Sequence, residues 1–155
     1  MKSASLPAPT NNLASSILGI WKLKSRKDVD AAGQGRVDPI LGSDPLGILC
    51  FSPGYFAAQF MKRDRSSQQS AMQPVQGQNN SSAVDGYDAY FGTYWLDESA
   101  GTLTVQLEGS ISLSNLGSTF VRNVRVLENE LVIQLPTTAV DGTPVTRTLI
   151  FTRLQ

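Results

Sequence analysis

The stretch SSILGIWKLKSRKDVD, residues 15–30, sets a tryptophan at the mouth of a strand-like run, directly after Gly19 and Ile20. From there the residues alternate, with Trp21, Leu23 and Ser25 on one face and Lys22, Lys24 and Arg26 on the other. A period of two predicts a strand with one wet face. By parity all three basic side chains face solvent, and Arg26 turns inward only where the strand end bulges.

Seven more runs follow: GILCFS (47–52), YFAAQFMKR (55–63), AYFGTYWL (89–96), TLTVQLEGSI (102–111), STFVRNVRVL (118–127), ELVIQL (130–135) and VTRTLIFTRL (145–154). Most are separated by hairpin-sized segments such as SPG, DESAG, ENE and AVDGT, so sequence neighbours are expected to pair antiparallel. Residues 1–12, with two prolines and two asparagines, read as a flexible N-terminal arm, and 13–155 as one domain. LASSILG predicts one short helical turn. Residues 64–88 form a long Gln, Ser and Asn-rich insertion, whose end, SSAVDGYDAY, is expected to hold a turn of helix over a barrel mouth. Eight antiparallel strands in order leave exposed edges unless the sheet closes. The expected fold is therefore all-β, an eight-stranded antiparallel up-and-down barrel with room for one small ligand.

Composition narrows the chemistry. Thirteen Lys and Arg balance thirteen Asp and Glu, so no basic field gathers nucleic acid or a membrane surface. No apolar run reaches the length of a membrane span, and MKSASLPAPTNN lacks the apolar region of a secretory signal, so a cytoplasmic location is expected. The chain contains no histidine. Histidine-based nucleophilic triads and His-ligated metal sites are thereby excluded, and proton transfer falls to Asp, Glu, Tyr, Lys or Cys50. Cys50 sits among apolar neighbours and reads as a core thiol. No dinucleotide or phosphate loop and no calcium loop is present, so neither a cofactor nor a metal is expected.

Gly19-Ile20-Trp21 resembles the lipocalin signature. The likeness extends, in order and spacing, through ILGIWKLKS, DPLGILCFSPGYFAAQFMKRDR, YDAYFGTYWLDESAGTLTVQLEGS and FVRNVRVLENELVI to the lipocalin-like domain of small bacterial and fungal proteins, some encoded in natural-product pathways. The resemblance implies a structural pair: Trp21 closes one end of the barrel, and Arg153 lies across its indole. Many relatives carry His on the strand before EGS, where this chain has Val105 and Gln106. Any chemistry done by that His is not done here in the same way.

The candidate site depends on one hairpin. With Leu96 opposite Thr102, Tyr94 faces Thr104 and Tyr90 faces Glu108, which builds a polar inner wall; a one-residue slip puts Leu103, Val105 and Leu107 there instead. The polar wall is the expectation adopted. It makes Glu108 the proton-transferring group, with Tyr90 and Tyr94 as hydrogen-bond donors and Arg26, Arg63 or Arg122 as the cation paired with it, Arg26 being placed in the catalytic set. Ligand contacts are expected from Gln59, Met61, Arg63, Trp95, Gln106, Phe120 and Arg122. Packing alone is the competing role for each aromatic residue. The same register exposes Leu103, Val105 and Leu107, so a homodimer covering them is expected. Two functions remain: a cofactor-independent isomerase or cyclase acting on a small hydrophobic natural-product intermediate, and a carrier of a small hydrophobic ligand. A charged group inside the pocket favours the first.

Overall fold

The computed structural model describes residues 12–65 and 83–155; the predicted arm up to residue 11 and residues 66–82 of the insertion lie outside the described residues. The chain runs through α1 (Leu13–Ser16), β1 (Gly19–Asp30), β2 (Gly35–Arg36), β3 (Leu46–Ser52), β4 (Tyr55–Met61), β5 (Tyr87–Asp97), β6 (Thr102–Ser110), a 3-10 turn (Leu113–Asn115), β7 (Thr119–Leu127), β8 (Glu130–Thr138) and β9 (Pro144–Arg153). Each long strand pairs antiparallel with the next, and β9 returns to β1 from Trp21 opposite Arg153 to Asp30 opposite Val145. The sheet thus closes as the expected eight-stranded barrel. β2 is an addition: two residues pairing with Asp28 and Val29, beyond the stretch of β1 that β3 occupies.

Gly-x-Trp acquires a physical reason at the closed end. Gly19 has φ +122°, and a β-carbon there would lie 2.0 Å from the carbonyl oxygen of Gln155, so only glycine fits beside the returning C-terminus. Trp21 is completely buried and donates its indole N–H to Ile17 O at 2.8 Å. The Arg153 guanidinium sits 4.2 Å from the indole centroid and donates to Leu18 O (2.8 Å) and Ser16 O (2.6 Å). It therefore joins α1 to the barrel through the last carbonyls of the helical turn. Asn12 caps that turn by accepting Ser15 N–H at 2.9 Å.

Two bulges decide which side chains enter the barrel. In β1 the pairing steps from Leu23 opposite Phe151 to Ser25 opposite Ile150, leaving Lys24 as the extra residue. Parity inverts there, and Arg26 and Asp28 point inward. In β5 and β6 the step falls between Gly92 opposite Leu107 and Phe91 opposite Gly109, which leaves Glu108 as the extra residue. Gly92 is needed, since a β-carbon on it would lie 1.9 Å from Gln106 O.

Four expectations are corrected. Leu96 pairs with Leu103 and Asp97 with Thr102, one residue away from the polar-wall register. The turn holds four residues between the paired ends, because Asp97 Oδ1 accepts Ala100 N–H at 3.0 Å and Gly101 takes a positive φ of 65°. Leu103, Val105 and Leu107 consequently face the core, at 1–2% exposure, and the exposed stripe that motivated a homodimer does not exist. Cys50 lies on the outer face of β3, half-buried, because Leu49 and Phe51 hold the inward positions. Residues Val84–Tyr87 form a tight turn closed by mutual backbone bonds, with Asp85 and Gly86 at positive φ, rather than a turn of helix.

Candidate functional site

Opposite the Trp21 end, the barrel interior changes character. Inward positions of β1 supply Arg26 and Asp28, β5 supplies Asp88 and Tyr90, β7 supplies Phe120 and Arg122, and β9 supplies Arg147. Arg26, Asp88, Tyr90, Asn115, Phe120, Arg122 and Arg147 line a cavity of about 70 Å³ whose remaining wall is apolar, including Phe51, Phe56, Phe60, Leu107, Leu149 and Phe151. At roughly 10–15 Å³ per water it has room for several waters. It is far smaller than the roughly 300–1,000 Å³ of drug-sized sites.

The charges form a graded set. Arg147 grips Asp28 with two parallel bonds, Nε to Oδ1 and Nη2 to Oδ2, both 2.8 Å. Arg26 Nη2 donates to Asp38 Oδ2 at 3.0 Å. Asp88 Oδ1 and Arg122 Nη1 are buried with no hydrogen-bond partner among the described residues. Such atoms are uncommon in interiors because each one keeps its full desolvation cost. Burial pushes the Asp88 carboxyl up to about 6, against the pull of the Arg26, Arg122 and Arg147 guanidiniums. Burial also lowers Arg122 and Arg26 and raises the Tyr90 phenol.

A raised carboxyl carries a stability cost with a definite sign. Between its ordinary value of 3.8 and about 6, the folded protein holds a proton on Asp88 that the unfolded chain has released. Folding stability therefore falls as pH rises through that window, by about 3 kcal/mol at 1.36 kcal/mol per pKa unit. Asp88→Asn, neutral at every pH, is expected to match the wild type near pH 4 and to exceed it by about that amount at pH 7.5. Urea denaturation at both values measures the difference; a gap independent of pH contradicts it.

The structure gathers only some of the residues expected from sequence. Arg26, Tyr90, Phe120 and Arg122 line the cavity, and Arg125 faces out as the parity of β7 requires. Tyr94 points into the core but nearer the closed end, edge-on to Phe51 at 5.0 Å. Glu108 and Gln106 are exposed on the outside, so Glu108 does not reach the interior; the four-residue turn and the bulge explain why. Trp95 is likewise exterior, 53% exposed, because it pairs with Thr104 on the outer face. Gln59 and Met61 alternate with the inward Phe56, Ala58 and Phe60 and lie outside, Gln59 accepting a hydrogen bond from the Tyr87 hydroxyl. Arg63 is exposed and pairs with Asp44 at 3.0 Å.

Asp28, Asp38, Asp88 and Arg147 were not singled out from sequence. Two of them carried a signal. Arg147 shares parity with Val145, Leu149 and Phe151, and Asp88 shares parity with Tyr90.

Among the described residues no helix is long and apolar enough to cross a membrane. No curated protein matches the chain. A comparison with protein families matches residues 18–153 to the lipocalin-like domain, a span that includes the Gly19-Ile20-Trp21 corner, Arg153 and every residue of the cavity. The chain belongs to the lipocalin-like domain family.

Proposed function

We propose that the barrel binds a small molecule with an apolar body and isomerises or cyclises it by proton transfer, without a cofactor. The observation that carries this reading is the pair of oppositely charged atoms, Asp88 Oδ1 and Arg122 Nη1, buried without a hydrogen-bond partner among the described residues in a cavity whose wall is mostly apolar. A carboxyl near 6 is mostly ionised at neutral pH yet close enough to it to return its proton, which suits a general base that becomes the general acid of the next step. Asp88 takes a proton from the substrate. Arg122 stabilises the negative charge that develops on a substrate oxygen, with the Tyr90 phenol beside it. The proton then goes back from Asp88 to a different atom, or the anion closes on an electrophilic centre while Asp88 protonates the oxygen released. Either route conserves mass. Phe56, Phe60 and Phe120 line the same cavity and lower the polarity around these groups, which strengthens the electrostatic interactions inside.

The apolar lining and the Arg122 donor also suit a carrier, and one experiment separates the two. Host metabolite extract is incubated with wild-type protein, Asp88→Asn and Arg122→Met, in H₂O and D₂O, and followed by liquid chromatography with mass detection. The expected result is a compound that changes retention at constant mass with the wild type and is unchanged with Asp88→Asn; in D₂O it gains one mass unit where the proton returns to carbon and keeps its mass where the proton ends on an exchangeable oxygen. A compound that copurifies with the protein and is released unaltered identifies a carrier and overturns the catalytic reading.

A further inference from the structure

Within residues 37–45, which join β2 to β3, the middle of the loop turns into the barrel although Val37, Pro39, Ser43 and Asp44 stay exposed as loop residues usually do. Ile40 and Leu41 are 3% and 1% exposed, and Leu41 forms part of the cavity wall. Asp38 travels inward with them. Its Oδ2 lies 3.0 Å from Arg26 Nη2 and 3.9 Å from Arg147 Nη2, with all three side chains nearly devoid of solvent contact. Its Oδ1 accepts Ile40 N–H at 2.9 Å, and its carbonyl accepts Gly42 N–H at 2.8 Å. The loop thus presents to the barrel a carboxylate followed by two aliphatic side chains, in a cavity with a mostly apolar wall and three buried guanidiniums, two of which, Arg26 and Arg147, face Asp38.

In a cavity of about 70 Å³ every lining residue except Leu41 and Asn115 sits on a barrel strand, so a larger molecule is accommodated most readily by movement of the Leu41 wall. Moving that wall also withdraws Asp38 and leaves Arg26 charged and unpaired in apolar surroundings, a state disfavoured by desolvation. A ligand that brings its own carboxylate restores the pairing, whereas a neutral ligand of the same size leaves the deficit in place. Only a ligand with such a difference in affinity for the two loop positions can shift them.

We propose that Arg26 and Arg147 form the receiving site for the carboxylate of an apolar monocarboxylic acid, and that Asp38 occupies this site in the free protein and leaves, with Ile40 and Leu41, as the acid enters. The proposal rests on the preceding reading in that a small molecule enters the barrel, and it names the class of that molecule. Asp88 and Arg122 line the same cavity, so the acid's apolar body would extend past them.

Sodium octanoate and 1-octanol, with equal chain lengths and different heads, are the probes. Calorimetry at pH 7.5 is expected to show octanoate bound at least about tenfold more tightly than octanol by the wild type, and Asp38→Asn is expected to tighten both probes by about tenfold, since neither then breaks the Asp38–Arg26 pair on entering, while the preference for octanoate is kept. In the unsubstituted protein, octanoate is expected to speed hydrogen exchange of the Ile40 and Gly42 amides, whose acceptors are both on Asp38. Equal affinities for the two probes, no binding of either, or unchanged exchange at Ile40 and Gly42 on saturation with octanoate overturns the proposal. Octanol binding as tightly as octanoate leaves the barrel as a small-molecule site and removes only the acid class. Constant-mass conversion of a neutral metabolite in the extract experiment has the same meaning.

Discussion

Replacing Trp21 with alanine lowers the free energy of unfolding by about 3–5 kcal/mol, the range for deleting a large buried aromatic side chain. Three losses act together. The indole is completely buried, so its removal leaves a void at the closed end of the barrel. Its N–H bond to Ile17 O disappears, leaving a buried acceptor without that donor. The Arg153 guanidinium, 4.2 Å from the ring, loses its apolar and cation-π support while still holding Leu18 O and Ser16 O. For a chain of this size the expected fall in melting temperature is roughly 6–20 °C, at about 2–4 °C per kcal/mol. Differential scanning fluorimetry measures it. Trp95, the second tryptophan, is the internal control: it is half-exposed on the outside, and Trp95→Ala is expected to change the melting temperature far less. A fall no larger for Trp21→Ala than for Trp95→Ala would show that the closed end does not depend on the indole.

Much of the closed end was legible in the sequence through the resemblance of Gly19-Ile20-Trp21 to a family signature, since its contacts are long-range: Gly19 must be glycine where Gln155 approaches, and Arg153 of the last strand lies over Trp21 of the first. The strands were legible from the residues themselves, because alternation and short turns are written residue by residue. The inner wall was not, because its identity depends on whether the DESAG turn leaves four or five residues between the paired ends. A change of one inverts every side chain on β6. Here Asp97 and Gly101 fix the shorter turn, which moves Glu108 to the outside and the leucines in.

The polar end illustrates a different limit. The inward turn of Arg26 required a bulge at Lys24 that nothing in LKSRK marks, so sequence could offer the possibility but not the placement. Asp88 and Arg147 had the correct parity on their strands, and weighing parity for charged residues as well as aromatic ones would have found both. Asp38 had no such signal. It belongs to a loop without periodicity, and its place beside Arg26 is set by the fold around it.

The second large effect belongs to the ion pair at that end. Arg147→Met leaves Asp28 with a buried carboxylate that has lost both of its 2.8 Å donors, and the expected cost is about 3–5 kcal/mol, because the remaining charge keeps its desolvation penalty. The double variant Asp28→Leu/Arg147→Met removes both charges together and is expected to recover most of that loss, since a buried pair is often replaceable by apolar residues of similar volume. Urea denaturation of the two single variants and the double completes the cycle. If the pair only filled space, nothing else would change. But Arg147 is one of three guanidiniums that hold the Asp88 carboxyl down against burial. In the double variant that pull weakens, so Asp88 is expected to titrate above its wild-type value of about 6, followed by the carboxyl carbon shift in NMR. The direction is fixed: losing a cation favours the protonated acid, and any proton transfer by Asp88 as a base should need a higher pH in the double variant than in the wild type. A recovered stability with an unmoved Asp88 titration would mean that Arg147 serves the barrel wall alone and does not tune the group at its centre.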